Sequence, residues 1–476
     1  MAKQKSNESN ITVVLWNNEK SAVFKSLSKE IQQHLQEERK NKRDSVVIQS
    51  PGKWEYFFFA DNGDLSPRTL EKWRSKGNDI QSLANGNKQK SVLVKGEGVD
   101  EKISYAFAEG MALGNYKFTK YYTNAKERAL SLEQMYIQDT HLSEAKQREL
   151  FTLVNATHLT RTLVNEPVSY LTAEKFSQEM VSAGKEAGFT VKVLRKKQIE
   201  SLKMGGLLGV NKGSIDPPTF TIMEYKPAKA KNKKPLVLIG KGVVFDTGGL
   251  SLKPTPGSMD EMKCDMAGAA AVVGVMYAVA ANKLPIHVIG LVPATDNRPG
   301  MNAIVPQDVL TISDGTTVEV MNTDAEGRLI LADALVYAQK LNPDLVIDLA
   351  TLTGAAIRAV GTYASAVMGT APERVMREIS QAGLEVWERT QEFPLWSDYA
   401  EELKSDVADL KNLGGGNAGH ISAGKFLEHF TNYPWVHIDI AGTAWSNQSQ
   451  GYRSKGGTGV GVRLLYQFLV KYYLGK

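Results

Sequence analysis

A chain of 476 residues with a net charge of +5 and a hydrophobic share of 42% is too long for one hydrophobic core and reads as two domains, one of them large. Its composition excludes a disordered chain, a collagen-like repeat and a disulfide scaffold, and 57 basic against 52 acidic residues is too small a surplus to point to nucleic acid as the main partner. The single cysteine, Cys264, excludes an intrachain disulfide and suits a reducing compartment, so a cytoplasmic location is expected.

Met1 to Asn10 is polar and lacks the apolar core of a signal peptide. β-type runs at Ile11 to Trp16, Val46 to Gln49, Trp54 to Ala60 and Ser91 to Lys95, with a charged helical stretch from Glu19 to about Lys40, predict a small α/β domain over residues 1–150. From Leu142 to Val164 apolar positions return every three or four residues, which predicts a linking helix that stops near Glu166-Pro167, where proline disfavours continuation. Over 151–476, β-rich runs at Thr190 to Leu194, Thr219 to Tyr225, Leu236 to Ile239, Ile286 to Val292, Leu345 to Leu349 and Val436 to Ile440 alternate with helical segments. Such alternation implies a sheet with helices on both faces. Lysine-rich Lys226 to Lys234 reads as an exposed loop between two strands, and Gly414 to Gly416 as a mobile loop or a plain turn. The longest apolar stretch, Gly268 to Ala281, is too short and too small-residued to span a bilayer, so no membrane role is expected.

Four segments of the second domain place ionisable or small polar residues at strand ends or glycine-rich loops, where open α/β sheets bind their ligands. In Gly240-Lys241-Gly242-Val243-Val244-Phe245-Asp246-Thr247-Gly248-Gly249 an apolar strand runs into a lysine, an aspartate and paired glycines; Lys241 pairing with Asp246 across a turn is the bland alternative. Lys253 to Asp265 adds a second lysine, the pair Asp260-Glu261, read as solvated surface, and Asp265, which also suits the positive end of a helix starting near Gly268. In Asn322-Thr323-Asp324-Ala325-Glu326-Gly327-Arg328-Leu329 an extended backbone would turn Asp324, Glu326 and Arg328 to one side, while Thr323 and Glu326 equally fit a capping box opening a helix from Leu329 to Lys340. Asp348-Leu349-Ala350-Thr351-Leu352-Thr353-Gly354-Ala355 follows an apolar strand and either lines a pocket or turns the chain.

Taken together, these segments resemble the leucyl aminopeptidase family, whose GKGxxFD(S/T)GG, MDxMKxDMxGAA, NTDAEGRL and DLATLTGA stretches occur in order at Gly240, Met259, Asn322 and Asp348. The likeness runs from Leu163-Val164-Asn165-Glu166-Pro167 to Asp439-Ile440-Ala441-Gly442-Thr443-Ala444-Trp445, about two thirds of the chain; the first domain is recognisable mainly by its position and by Ala108 to Gly114. It implies a smaller N-terminal α/β domain, macro-like and contributing oligomer contacts, and a larger C-terminal catalytic domain with a mixed central sheet flanked by helices. It also implies that Asp246 and Glu326 bridge two divalent metals, with Asp324 completing one site and Lys241 and Asp265 the other, and that Lys253 and Arg328 are the catalytic side chains. All seven histidines are left as structural or surface residues.

Four carboxylates formally balance two divalent cations, and oxygen-rich ligation suits Mn²⁺ or Zn²⁺, with Mg²⁺ and Co²⁺ as further candidates. Lys241 would have to bind as a neutral amine, which adjacent cations favour. The expected reaction is attack of a hydroxide shared by the two metals on the first peptide bond, Lys253 stabilising the oxyanion and Arg328 holding a bicarbonate ion that shuttles the proton. The resemblance assigns Met262, Asn322, Thr351, Leu352, Gly354, Ala441 and Ala444 to substrate binding, in a mostly apolar pocket that suits leucine- or methionine-like first residues of peptides with a free amino end, and it implies a homohexamer. The alternatives are a DNA-binding or regulatory role, for which Arg39 to Arg43 and Lys226 to Lys234 look like ordinary solvated surface, and a narrower dipeptidase such as a cysteinylglycinase.

Overall fold

The computed structural model describes residues 9–475. The chain divides into two compact units, one formed by the chain up to Asn155 together with Gln448–Ser454, the other by Ala156–Asn447 and the chain from Lys455 on.

The first unit is built on a five-stranded sheet of β1 (Ile11–Trp16), β2 (Ser45–Ser50), β3 (Lys53–Phe59), β4 (Ser91–Glu97) and β5 (Gln134–Asp139), in the order β2-β3-β1-β4-β5. Only the β2–β3 pair is antiparallel. Every residue of β1 is buried, because the strand is covered on both sides: Ile11, Val13 and Leu15 join a core with Trp73, Ile80, Ile103 and Phe107, and Val14 and Trp16 join another with Phe24 and Leu35. The charged stretch expected as one helix from Glu19 is two helices, Ala22–Ser26 and Lys29–Lys40, because Ser28 adopts an extended backbone and caps the second through the amide of Ile31.

The second unit carries a nine-stranded mixed sheet. Its strands are β6 (Thr190–Arg195), β7 (Thr219–Tyr225), β8 (Leu236–Gly240), β9 (Gly242–Asp246) and β10 (Val288–Asn297), then, after the small-sheet strands β11 (Val309–Thr311) and β12 (Thr317–Glu319), β13 (Leu345–Ala350), β14 (Ser365–Gly369) and β15 (Thr390–Glu392), and, after β16 (Leu410–Lys411) of the small sheet, β17 (Trp435–Asp439). The main order is β15-β14-β17-β13-β8-β10-β7-β6, with β9 paired to β10. Its centre, β17-β13-β8-β10, is parallel, and β14 and β7 flank it antiparallel. On one face Val237, Ile239, Leu291 and Val346 pack with Leu329, Ala332 and Leu335 of the helix Glu326–Gln339. The opposite face meets the helix Ala267–Ala281: a side chain built at Gly290 would touch Val272 and Met276. With the short 3₁₀ turn before it, this apolar segment is long enough to cross a bilayer, yet 89% of its most apolar window is buried; it is a core helix of the unit. The linking helix spans Glu144–Asn165, ending two residues before Pro167.

Candidate active site

The parallel centre of the sheet delivers its polar residues at one edge. The backbone leaves β8 at Lys241, ends β9 at Asp246 and β10 at Asn297, leaves β13 at Thr351 and ends β17 at Asp439, all carboxyl ends, where the next turn is free to face a ligand. Lys241, Asp246, Asp265 and Glu326 are each no more than 3% exposed. Asp265 arrives at the end of the 3₁₀ turn Met259–Cys264, and Glu326 on the first turn of its helix.

Two lysines are threaded among the carboxylates. Lys241 Nζ lies 2.9 Å from Asp265 Oδ1, 2.8 Å from Asp265 Oδ2, 2.9 Å from Glu326 Oε1 and 2.9 Å from the carbonyl of Thr351. Lys253 Nζ lies 3.0 Å from Asp246 Oδ2 and 2.5 Å from Asp324 Oδ1. The bland pairing of Lys241 with Asp246 is therefore not the one formed. Burial works against the charge on both lysines, but the surrounding carboxylates outweigh it and hold both above the ordinary range. Asp246 is pushed up by burial and by the charges of Glu326 and Asp265. Burial also lifts Asp265, to about 7, against the pull of Lys241. Burial opposes the charge of Glu326 as well, yet Lys241 and Lys253 hold it below the usual carboxylate range. Among the described residues, Asp265 Oδ2, Asp324 Oδ1 and Glu326 Oε1 are buried with no partner other than a lysine ammonium. One oxygen from each of Asp246, Asp265 and Glu326 falls within 4.8 Å of the others.

Backbone and amide braces fix this geometry. Gly248, at φ +86°, turns its N–H back onto Asp246 Oδ1 at 2.8 Å, and Asn297 Nδ2 donates to the same oxygen at 2.8 Å. Thr323 donates to the carbonyl of Gly248 at 2.6 Å and accepts from the amide of Ser251 at 2.8 Å. With its hydroxyl engaged there it forms no capping box, and Ala325 opens the helix without a side-chain cap. Nor is the segment extended: Asp324 sits in a turn, while Glu326 and Arg328 lie on the helix. Asn412, fully buried, accepts from the amides of Met321 at 2.7 Å and Asn322 at 3.3 Å, donates to the carbonyls of Asn322 at 2.8 Å and Ala325 at 3.4 Å, and offers its own carbonyl to Arg328 Nη1 at 2.9 Å. Burial pulls Arg328 down to about 10 against the opposing charges of Glu326 and Asp439, and its Nε has no partner among the described residues. Asp265 accepts from the Thr351 hydroxyl at 2.8 Å and caps no helix; Met266 precedes the helix Ala267–Ala281. Asp260 is exposed and binds the amides of Gly257 and Ser258 in its own turn.

The family model described as the catalytic domain of the cytosol aminopeptidase family matches residues 158–466. The chain belongs to this family. A probable cytosol aminopeptidase of Chlorobium limicola is 47% identical over 384 residues, 78% of this chain and 75% of the relative. One of Geobacter sulfurreducens is 42% identical over 415 residues, 86% and 83% of the two chains. Among solved structures, the bottromycin maturation enzyme BotP in complex with Mn superposes with a TM-score of 0.84 at 29% identity, covering 98% of this chain and 100% of that one. A mutant of tomato leucine aminopeptidase gives 0.83 at 28% identity, covering 97% and 94%. The protein is an aminopeptidase with the two-domain α/β fold expected of its family.

Of the residues expected to bind substrate in this aminopeptidase, Thr351, Leu352 and Gly354 follow the carboxyl end of β13, Ala441 and Ala444 follow that of β17, Met262 lies on the 3₁₀ turn before Asp265, and Asn322 precedes Asp324. Met262, Asn322, Leu352 and Ala441 are half-buried, Gly354 is exposed, and Thr351 and Ala444 are buried. Asp348, two residues before the end of β13, faces the interior instead: His437 Nδ1 lies 2.6 Å from one of its oxygens and Trp435 Nε1 donates to the other at 2.7 Å. Burial opposes a charge on His437, but Asp348 outweighs it and raises the imidazole. Sequence reasoning did not single out Asn297 or Asn412; their only signals are that one ends an apolar strand and the other precedes the glycine cluster at Gly414. Gly327 carries a further requirement: a side-chain carbon there would sit 2.5 Å from Lys241 Cε and 2.7 Å from its Nζ.

Proposed function

We propose that the chain is a metal-dependent aminopeptidase that removes the first residue, preferably leucine or a similar apolar one, from peptides with a free amino end. The observation that carries this reading is the largely buried cluster in which the four carboxylates of Asp246, Asp265, Asp324 and Glu326 share the two ammonium groups of Lys241 and Lys253. That set fits divalent cations: the donors are hard oxygens, three of them have no partner but an ammonium, and the carboxylates outnumber their counter-charges. Asp246, Asp265, Asp324, Glu326 and Lys241 would hold two such ions, Mn²⁺ or Zn²⁺ first among the candidates. Bound there, the pair would polarise the scissile carbonyl and supply hydroxide near neutral pH. The carboxylates around Lys241 hold it above the ordinary lysine range despite its burial, so it would have to give up a proton to serve as a ligand.

The chain's own groups do the rest. Lys253, with a side chain 14% exposed, brings a fixed positive charge to the oxyanion that forms at the attacked carbonyl. Arg328 remains charged at neutral pH and keeps its Nε without a partner among the described residues, which suits a bicarbonate ion held by arginine's planar fork and able to carry the proton. Met262, Asn322, Thr351, Leu352, Gly354, Ala441 and Ala444 would receive the first side chain, and a mostly apolar pocket discriminates only modestly between similar residues, by about 10- to 200-fold per methylene. A homohexamer, a cytoplasmic location and a role of the macro-like first domain in assembly rest on family resemblance.

The test is hydrolysis of leucine p-nitroanilide by the purified protein after chelation and after return of Mn²⁺ or Zn²⁺, beside a variant carrying Asp324→Ala and Glu326→Ala. Activity that chelation removes and metal restores, absent from the variant, is the expected result. A metal-loaded protein inactive on this substrate and on dipeptides and longer free-amine peptides would refute the reading, while activity confined to dipeptides would select the dipeptidase.

A further inference from the structure

Asp439, the last residue of β17, is 1% exposed, and no step proposed above uses it. In the β13–β17 register it lies opposite Ala350, the residue before the chain turns into Thr351-Leu352-Thr353-Gly354. Its Oδ1 accepts the amide of Leu352 at 3.1 Å and the amide of Ala441 at 3.1 Å. Its Oδ2 accepts the hydroxyl of Thr353 at 2.7 Å, and that hydroxyl in turn accepts the amide of Ala356, capping the helix Gly354–Val360. One carboxylate therefore ties together two stretches of chain that leave different strands.

A buried carboxylate is retained at a cost of several kcal/mol unless its oxygens are satisfied, and the same backbone ties do not demand one, since a neutral amide can accept two N–H groups at its single oxygen. The charge adds strength and a fixed direction to all three bonds at once, and these bonds act on the segments holding Leu352, Gly354 and Ala441. We infer that Asp439 is a positioning residue that sets the spacing between the Thr351–Gly354 and Ala441–Ala444 walls, and so the selectivity of the enzyme for the first side chain of its substrate. The inference rests on the proposed pocket.

Asparagine at 439 would present its amide N–H₂ to Thr353, whose hydroxyl would lose its acceptor, and valine at 353 would remove the hydroxyl outright. The experiment measures kcat and KM for leucine and alanine p-nitroanilides with the metal-loaded enzyme, comparing wild type with Asp439→Asn, Thr353→Val, Thr353→Ser and Ala441→Val. Asp439→Asn and Thr353→Val are expected to lower the leucine-to-alanine ratio of kcat/KM about tenfold, mainly through KM, with bound metal per chain unchanged; Thr353→Ser, which keeps the hydroxyl, keeps the wild-type ratio. Thr353→Val guards against Asp439→Asn failing to fold, thermal unfolding being followed for each. An unchanged ratio in folded Asp439→Asn or Thr353→Val overturns the inference, as does an equal fall in kcat for both substrates. Ala441→Val tests the pocket separately: if it shifts the ratio while the other two do not, the pocket stands and Asp439 has no part in it, and if none of the three shifts it, the pocket assignment itself is wrong.

Discussion

Both units bury charged side chains, and they do so in opposite ways. In the first unit Arg74 and Glu109, 4% and 2% exposed, meet at 2.5 Å; Arg74 also reaches Glu71 at 3.4 Å, and Glu71 accepts from Tyr452 and Arg453. Each glutamate there meets a guanidinium, so charge is answered by opposite charge. In the second unit Asp246, Asp265, Asp324 and Glu326 share Lys241 and Lys253, leaving carboxylate oxygens in excess. A closed set is what a fold needs to tolerate buried charge, whereas an open one marks a place prepared for a further positive group.

The largest effect that could break this contrast is on rate. Lys253→Met removes a positive charge from the open set and should lower kcat about 10²- to 10³-fold while metal content, measured by elemental analysis, stays at the wild-type level; near-normal turnover would mean that the open cluster has no catalytic lysine. Next comes stability in the closed set. Arg74→Met takes away the guanidinium that buried Glu109 meets at 2.5 Å and should destabilise the folded chain by about 3–5 kcal/mol, read by urea unfolding, whereas Arg74→Met with Glu109→Leu should recover most of the loss. If the single variant unfolds like wild type, the pair is not the closed structural element inferred from its geometry.

The smallest effect concerns a third arrangement, a buried carboxylate with no counter-charge. Asp333, fully buried, accepts the amides of Leu207 and Ser313 at 2.9 Å each, and burial lifts it to about 7 despite these bonds. A folded-state value above the unfolded one means that the folded chain holds a proton the unfolded chain releases, so this contribution is complete below about pH 4 and declines as pH rises towards 7. The fall in unfolding free energy between pH 4 and 7 should be shallower in Asp333→Asn than in wild type, and identical slopes would show that Asp333 does not titrate in that window.

What was legible in the sequence was local or repetitive. Ile11–Trp16 and Thr219–Tyr225 were readable to the residue because β-branched and aromatic side chains fill them, and the helix Glu144–Asn165 because its apolar spacing persists until Pro167 intervenes. Family resemblance then gathered the charged residues of three separate segments, and the fold does bring Lys241, Lys253, Asp246, Asp265, Asp324 and Glu326 together. Partnerships across long separations were beyond reach. The Thr323 to Glu326 spacing fits a capping box, but the threonine's partners lie near Gly248, on a different loop. Asn412 does its work more than eighty residues from the segment it braces, and nothing in the periodicity of either stretch announces the other.

Gly327 shows how finely one position can be constrained without any backbone peculiarity. It lies within an ordinary helix, Glu326–Gln339, where alanine would be favoured by about 1 kcal/mol. The atoms an added methyl would strike belong to the flexible end of Lys241, so the helix would accept the change and the ammonium would be the part displaced from Asp265 and Glu326. A substitution that makes the helix intrinsically better would thus act as a wedge driven into the charge cluster, and the room that Gly327 leaves for the end of Lys241 is as much a component of the site as any side chain in it.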